Sequence, residues 1–240
     1  ERLVGSEMCI RDRYFIALTG KQELVAGVSL AAPIFTLMIA FGDIFGLGGS
    51  SLISRLFGEK REEEAKRASA FCLWAAIGFG IFVTIVLLVF RTPILKLLGT
   101  DAATFEYAGE YYTWIAVGAA SIILGLVPSN ILRTEGLAMQ AMAGSILGSI
   151  VNIILDPMLI FGIWFFPKMG IAGAALATGI GQVIPLVVYI IIFVKRPMAF
   201  HMTWHKNLIR KRLCKQMYGV GIPATLNLAL PSFMITALNG

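Results

Sequence analysis

Long apolar runs separated by short charged loops make up most of the sequence. Five runs are long enough to cross a hydrocarbon core of about 30 Å as helices that rise about 1.5 Å per residue. A sixth uncharged run, 216–240, ends with the sequence. The pattern therefore predicts an all-α polytopic membrane protein. Its complete spans are expected at residues 24–54, 68–90, 107–132, 137–163 and 170–194.

The composition agrees with this class. Hydrophobic residues make up 58% of the 240 and charged residues 14%, whereas a soluble domain is about half apolar and about a quarter charged. The net charge of +6 does not indicate a nucleic-acid partner, because the basic residues lie in the loops between the apolar runs. The lipid bilayer is the partner that this composition predicts. The three cysteines show no ligand spacing, so they predict neither a disulfide framework nor a metal site.

The distribution of Lys and Arg orients the spans. One set of alternate loops holds thirteen of these residues and the other set holds four. Because loops rich in Lys and Arg stay in the cytoplasm, the first set is predicted to be cytoplasmic. The cytoplasmic set is Arg55, Lys60, Arg61, Lys66, Arg67, Arg133, Lys195, Arg196, Lys206, Arg210, Lys211, Arg212 and Lys215, and the outer set is Lys21, Arg91, Lys96 and Lys168.

The strongest candidate for chemistry is the stretch from Asn152 to Pro157. Asp156 is the single ionisable residue between Gly136 and Pro167, and carboxylates within the membrane usually face a cavity, a partner or an ion path. Asn152 lies on the same helix face, one turn earlier. Pro157 removes a backbone donor, loosens the carbonyl one turn back and is expected to bend the helix. This pattern predicts a cation or proton site, with a structural role for Asp156 as the alternative.

Three more polar residues inside the spans are candidates. Thr178 and Asp156 both lie about 10–12 Å inside the outer edge at about 1.5 Å per residue, so they are expected to share one cavity. Gln182, one turn beyond Thr178, is expected to bind a ligand or only a neighbouring helix. Asp43 lies toward the inner half, where it could pair across helices, relay protons or meet the substrate.

Aromatic and small residues suggest how the spans meet lipid and each other. Tyr111, Tyr112 and Trp114 lie near a span end and are predicted to form an interfacial belt, with gating of a substrate path as the alternative. The Gly144-xxx-Gly148 spacing predicts close helix packing.

Residues 1–13 differ from the rest of the chain. They carry six charges and match neither a membrane span nor a signal peptide, which needs an uninterrupted apolar region. We predict that this segment is not native to the protein or is misassembled sequence, and the fold is predicted without it.

Four motifs recur in order and at characteristic spacing: GGSSLISR at 48–55, RTEG at 133–136, VNIILDP at 151–157 and GIAGAALAT at 170–178. With these motifs the chain resembles the multidrug and toxic compound extrusion (MATE) family over most of its length. The stretch GDIFGLGGSS at 42–51 is most similar to a branch of bacterial multidrug exporters.

The resemblance implies twelve helices in two six-helix lobes and alternating access. On that map, residues 14–194 form the N-terminal lobe, in which 14–18 are the tail of family helix 1 and the five spans are helices 2 to 6. Residues 195–215 become a basic interlobe linker, and 216–240 the first helix of a truncated second lobe. The chain is then about half a transporter. It lacks most of helix 1, where members often carry a coupling carboxylate.

The resemblance also implies a function. The protein would be an antiporter, not an enzyme, that exports cationic or amphipathic drugs across the bacterial cytoplasmic membrane, driven by Na⁺ or H⁺. Asn152, Asp156 and Thr178 match the family's cation site, where Na⁺ at Asp156 would be the only metal and no other cofactor is expected. Two alternatives remain: a lipid-linked oligosaccharide flippase of the same superfamily, and a receptor or scaffold lobe that does not transport.

Overall fold

The computed structural model describes residues 12, 14–18, 20, 22–101, 104–163, 167–195 and 211–239. Within these residues the secondary structure is helical, without strands. Residues 14–17 form a short helical stretch ahead of the first long helix. The helices are α1 (Gln22–Gly58), α2 (Glu62–Val89), α3 (Arg91–Leu97), α4 (Phe105–Thr134), α5 (Ala138–Phe161), α6 (Ile171–Lys195) and α7 (Lys211–Asn239).

The five predicted spans are confirmed. Among the described residues, α1, α2, α4, α5 and α6 are long and apolar enough to cross a membrane. Most begin or end a few residues beyond the apolar runs, because the flanking polar residues continue the helix. At the start of α2, Glu62, Glu63 and Glu64 occupy the first turn, where carboxylates stabilise the positive end of the helix dipole.

Ion pairs join α1 to α2 on the predicted cytoplasmic side. Arg61 contacts Glu64 at 2.6 Å and Glu59 at 2.8 Å, and Arg55 contacts Glu59 at 3.1 Å. The hydrogen bonds from Arg61 and then Arg55 lower the pKa of the Glu59 carboxyl below its ordinary value. These groups are exposed and screened by salt, so the pairs contribute little to the stability of the fold. Their main effect is on the geometry of the turn between α1 and α2.

Helix α4 forms the centre of the bundle. It packs against α1, α2 and α6. Side chains on several of its faces are therefore buried, among them Tyr111, Tyr112, Ile115 and Ile123. Apolar side chains on the far sides of α2, α5 and α6 are exposed, as expected for helices that face lipid or a further helical layer.

Neither the short helix α3 nor the hydrogen bond of Tyr112 to the end of α2 was predicted. Helix α3 follows α2 directly, with Pro93 in its first turn, where a missing backbone donor is tolerated. Tyr112 is fully buried and donates its hydroxyl proton to the carbonyl oxygen of Leu87 at 2.8 Å. That carbonyl lies in the last turn of α2 and has no partner within the helix. Tyr112 therefore ties α4 to the outer end of α2.

Helix α7 packs against α1 at very short distance. A Cβ atom on Gly48 would lie 2.6 Å from the carbonyl oxygen of Met217, and one on Gly221 would lie 3.0 Å from Cα of Ile44. One turn further on, Thr225 donates its hydroxyl proton to the Ala40 carbonyl at 2.8 Å. Small residues thus let the two backbones meet, as in other membrane helix pairs.

The contact between α1 and α7 predicts unequal effects for two glycines of α7. Gly221→Val in the complete protein is expected to lower the free energy of unfolding by about 1–3 kcal/mol, because the added side chain meets backbone that cannot move aside. Gly219→Val is the matched control, since a Cβ there meets nothing within 4 Å. Thermal unfolding in detergent measures both. Equal melting temperatures for the two variants would contradict the contact.

Helix α7 begins earlier than the sequence suggested. Residues 195–215 were predicted as a linker, yet the chain is already helical at Lys211, the first residue described after 195, since Lys and Arg are good helix formers and no breaker interrupts them. The rest of the predicted linker, 196–210, lies outside the described residues.

Candidate functional site

The antiparallel pair α5 and α6 holds the site, and glycines set their register. A Cβ on Gly148 would collide with the carbonyl oxygen of Gly181 and the ring of Pro185, and one on Gly173 would lie 2.7 Å from the Leu159 backbone. Because the two helices are antiparallel, the residues after Gly148 on α5 lie opposite the residues before Gly181 on α6. Asn152, one turn after Gly148, then faces Thr178, one turn before Gly181.

Hydrogen bonds join all three residues of the predicted cation site. The amide nitrogen Nδ2 of Asn152 donates to Oδ1 of Asp156 at 3.2 Å and to Oγ1 of Thr178 at 3.3 Å. Asn152 and Asp156 are 0% exposed and Thr178 is 2% exposed. The structure thus brings together the three side chains that helix spacing and depth predicted to be neighbours.

Asp12 and Tyr111 extend this group. The Thr178 hydroxyl donates to the Asp12 carboxylate, with distances of 3.0 Å to Oδ2 and 3.2 Å to Oδ1. The Tyr111 hydroxyl donates to Oδ2 of Asp12 at 2.7 Å. Asp12 is 0% exposed and Tyr111 is 1% exposed. We call the connected side chains the polar chain: Tyr111, Asp12, Thr178, Asn152 and Asp156.

The hydroxyl and amide protons of the polar chain are donated to other members of it. Thr178 and Tyr111 each have one hydroxyl proton, and both protons go to Asp12. The two amide protons of Asn152 serve Asp156 and Thr178. Its remaining atom, Oδ1, is a buried acceptor with no hydrogen bond among the described residues. A further ligand in this group would therefore be bound by oxygen atoms that accept hydrogen bonds. Such atoms suit a proton or a hard cation and disfavour an anion.

The electrostatics favour the same ligands. Asp12 and Asp156 are two carboxylates held in one buried, largely apolar region. Buried carboxylates are costly unless a partner or a bound cation lies beside them, so a proton or a cation is a ligand that this region can accept.

The other predicted site residues are Asp43, Gln182 and Pro157, which are not members of the polar chain. Asp43 is on α1 and is 5% exposed, in the inner half of its span. Gln182 is half-buried one turn inward of Thr178 on α6. Pro157 lies inside α5, which continues through it to Phe161. Roles for Asp43 and Gln182 and bending at Pro157 remain predictions.

The prediction of an interfacial belt is wrong for two of its members. Tyr111 and Tyr112 point into the bundle and use their hydroxyls as donors to Asp12 and Leu87, whereas Trp114 is 38% exposed. A tyrosine near a span end gives the same sequence signal in both cases, because the side chain needs a polar partner at one tip.

Asp12 was missed because it lies in the segment predicted to be foreign. Only this residue of 1–13 is described, and the origin of the segment remains a prediction. A signal was present nonetheless. The resemblance placed 14–18 at the tail of a family helix that often carries a coupling carboxylate, and Asp12 comes two residues before that tail.

Comparisons with known proteins point to one family. The family model described as MatE matches residues 7–158. The multidrug export protein MepA of Staphylococcus aureus is 31% identical over 230 residues, which cover 96% of this chain and 50% of MepA.

Solved structures give the same result. A crystal structure of MATE in the bent conformation has a TM-score of 0.85 at 30% identity and covers 93% of this chain and 49% of its own. An inward-facing multidrug resistance MATE family transporter of the MOP superfamily has a TM-score of 0.88 at 29% identity and covers all of this chain and 53% of its own. The chain spans about half the length of the curated relatives it matches.

Proposed function

This chain belongs to the MatE family, and we propose that the protein of which it is a part exports drugs across the bacterial cytoplasmic membrane by exchange for Na⁺ or H⁺. The matched relatives are named as exporters and transporters, not enzymes, in agreement with the predicted class. The observation that supports the proposal is the buried polar chain, in which the hydroxyl and amide protons are donated to other members and Oδ1 of Asn152 accepts no hydrogen bond from a described residue.

In this proposal the polar chain is the coupling site. The carboxylates of Asp12 and Asp156 and the Oδ1 atom of Asn152 supply oxygens for Na⁺, or an acceptor for a proton. Thr178 and Tyr111 orient Asp12 through their hydroxyl protons. The close contact at Gly148 keeps α5 and α6 at the separation that these bonds need.

Coupling follows from competition for negative charge. A carboxylate in a low-dielectric site cannot fully stabilise a coupling cation and a cationic drug together. Binding of Na⁺ or H⁺ at Asp156 would therefore favour drug release, and a proton or cation there would let the helix that contains Pro157 change its bend. Export is then powered by the inward ion gradient, because the ion binds the state that releases the drug.

Efflux of ethidium from cells that express the complete gene tests the proposal. Efflux is expected to exceed that of cells with an empty vector, and to stop when ionophores collapse the Na⁺ and H⁺ gradients. Collapse of each gradient separately identifies the coupling ion. Efflux that depends on neither gradient would overturn ion exchange, and efflux no greater than that of the vector control would favour a lobe that does not transport.

A further inference from the structure

A cavity opens on the outer side of the bundle, directly above the polar chain. Its volume is about 520 Å³, and it lies where the ends of α1, α4, α5 and α6 meet. We call it the outer vestibule. Its lining includes Leu18, Tyr107, Glu110, Ile160, Lys168 and Ile171.

Three elements that carry the polar chain continue outward into this lining. Tyr107 lies one turn outward of Tyr111 on α4, and Ile160 lies one turn outward of Asp156 on α5. Leu18 ends the short stretch that follows Asp12. One helical turn is about 5.4 Å, so the vestibule and the polar chain are neighbours along the membrane normal.

An apolar layer separates the two. Ile160 and Ile171 line the vestibule and are 0% and 2% exposed, and Ile16, between Asp12 and Leu18, is 0% exposed. We call Ile160 and Ile171, which line the vestibule, its isoleucine floor. Because Asp156 is 0% exposed, a cation in the vestibule reaches it only when the helices move.

The vestibule suits a hydrated cation. A volume of 520 Å³ holds on the order of fifteen water molecules at about 30 Å³ each, so an ion there keeps its hydration shell. The titratable groups of the lining are Glu110, Tyr107 and Lys168. Glu110 is exposed and forms no ion pair with any described residue, so its charge acts on ions in the cavity.

We propose that the outer vestibule is the antechamber of the coupling cation, in which Glu110 raises the local concentration of Na⁺ or H⁺ before it passes the isoleucine floor. The inference rests on the proposed function of the polar chain. It adds a route by which the cation reaches the polar chain, and it names Glu110 as a residue that sets the apparent affinity for the cation. Lys168, which also lines the vestibule, limits the field, so the effect of Glu110 is moderate and falls with ionic strength.

The test uses the complete protein in proteoliposomes, with drug counterflow measured while external NaCl or external pH is varied at constant ionic strength. Glu110→Gln is expected to raise the half-saturating concentration of the coupling cation about two- to fivefold, and Glu110→Lys more. The rate at saturating cation is expected to stay unchanged. Both shifts are expected to shrink at high ionic strength.

Glu106→Gln and Glu106→Lys are the matched controls, because Glu106 is exposed one turn further out on α4 and does not line the vestibule. Half-saturating concentrations that are equal for the Glu110 and Glu106 variants would overturn the antechamber. Asp156→Asn, assayed in parallel, separates the two ideas. If it abolishes coupling while the Glu110 variants change nothing, only the antechamber fails. If it keeps coupling, the proposed function itself fails.

Discussion

Replacing Asp156 with asparagine is expected to abolish ion-coupled efflux by the complete protein. Asparagine keeps the size of the side chain but removes the charge that the cation needs. Removing one partner of a buried charge pair costs about 3–5 kcal/mol. That corresponds to a loss of more than about a hundredfold in cation affinity. Ethidium efflux under an imposed Na⁺ or H⁺ gradient is the measurement.

Ser149→Ala is the control for this change. Ser149 is buried on the same helix, and its hydroxyl makes no hydrogen bond within the described part of the chain, so its loss is expected to leave efflux near the wild-type rate. Wild-type efflux by Asp156→Asn would show that the carboxylate has a structural role only.

Replacing Asp12 with asparagine has the second-largest expected effect. The amide can still accept from Tyr111 and Thr178, so the geometry is kept while one of two buried carboxylates disappears. Hydrogen bonds to a charged group are worth about 1.5–3 kcal/mol. The half-saturating concentration of the coupling cation is therefore expected to rise about tenfold to a hundredfold, measured in the complete protein that carries residues 1–13 of this sequence.

Asp101→Asn is the matched control, since Asp101 is an exposed carboxylate on the same outer side. The variant pair also tests the origin of residues 1–13. An unchanged ion dependence in Asp12→Asn would remove Asp12 from the working site and support the prediction that the segment is foreign. A large rise would mean that the aspartate at this position belongs to the transporter.

The sequence was enough to predict the helices and the proximity of Asn152, Asp156 and Thr178, because both depend on regular spacing. Asn152 and Asp156 face the same way since they are four residues apart on a helix. Thr178 could be added because span ends fix depth, and depth at about 1.5 Å per residue is almost independent of packing. The Gly144 and Gly148 pattern predicted the close approach that sets the α5–α6 register.

Spacing could not reveal contacts between elements far apart in the chain. Asp12 and Thr178 are 166 residues apart, and Tyr111 and Asp12 are 99 apart, so neither pair leaves a local signature. Asp12 was left out of the predicted site because the charges around it led to the prediction that its segment is foreign. The direction of a tyrosine near a span end depends on which neighbour offers an acceptor, which only the packed bundle determines.

Displacement of the bound cation by drug tests the coupling site most directly. Purified complete protein is loaded with ²²Na⁺, or held in weakly buffered solution near neutral pH, and ethidium is added. One Na⁺ or one proton is expected to leave for each ethidium bound in wild type and in Ser149→Ala, and none in Asp156→Asn. Ethidium binding that releases no ion from the wild type, or equal release by Asp156→Asn, would contradict the claim that drug and ion compete for this carboxylate.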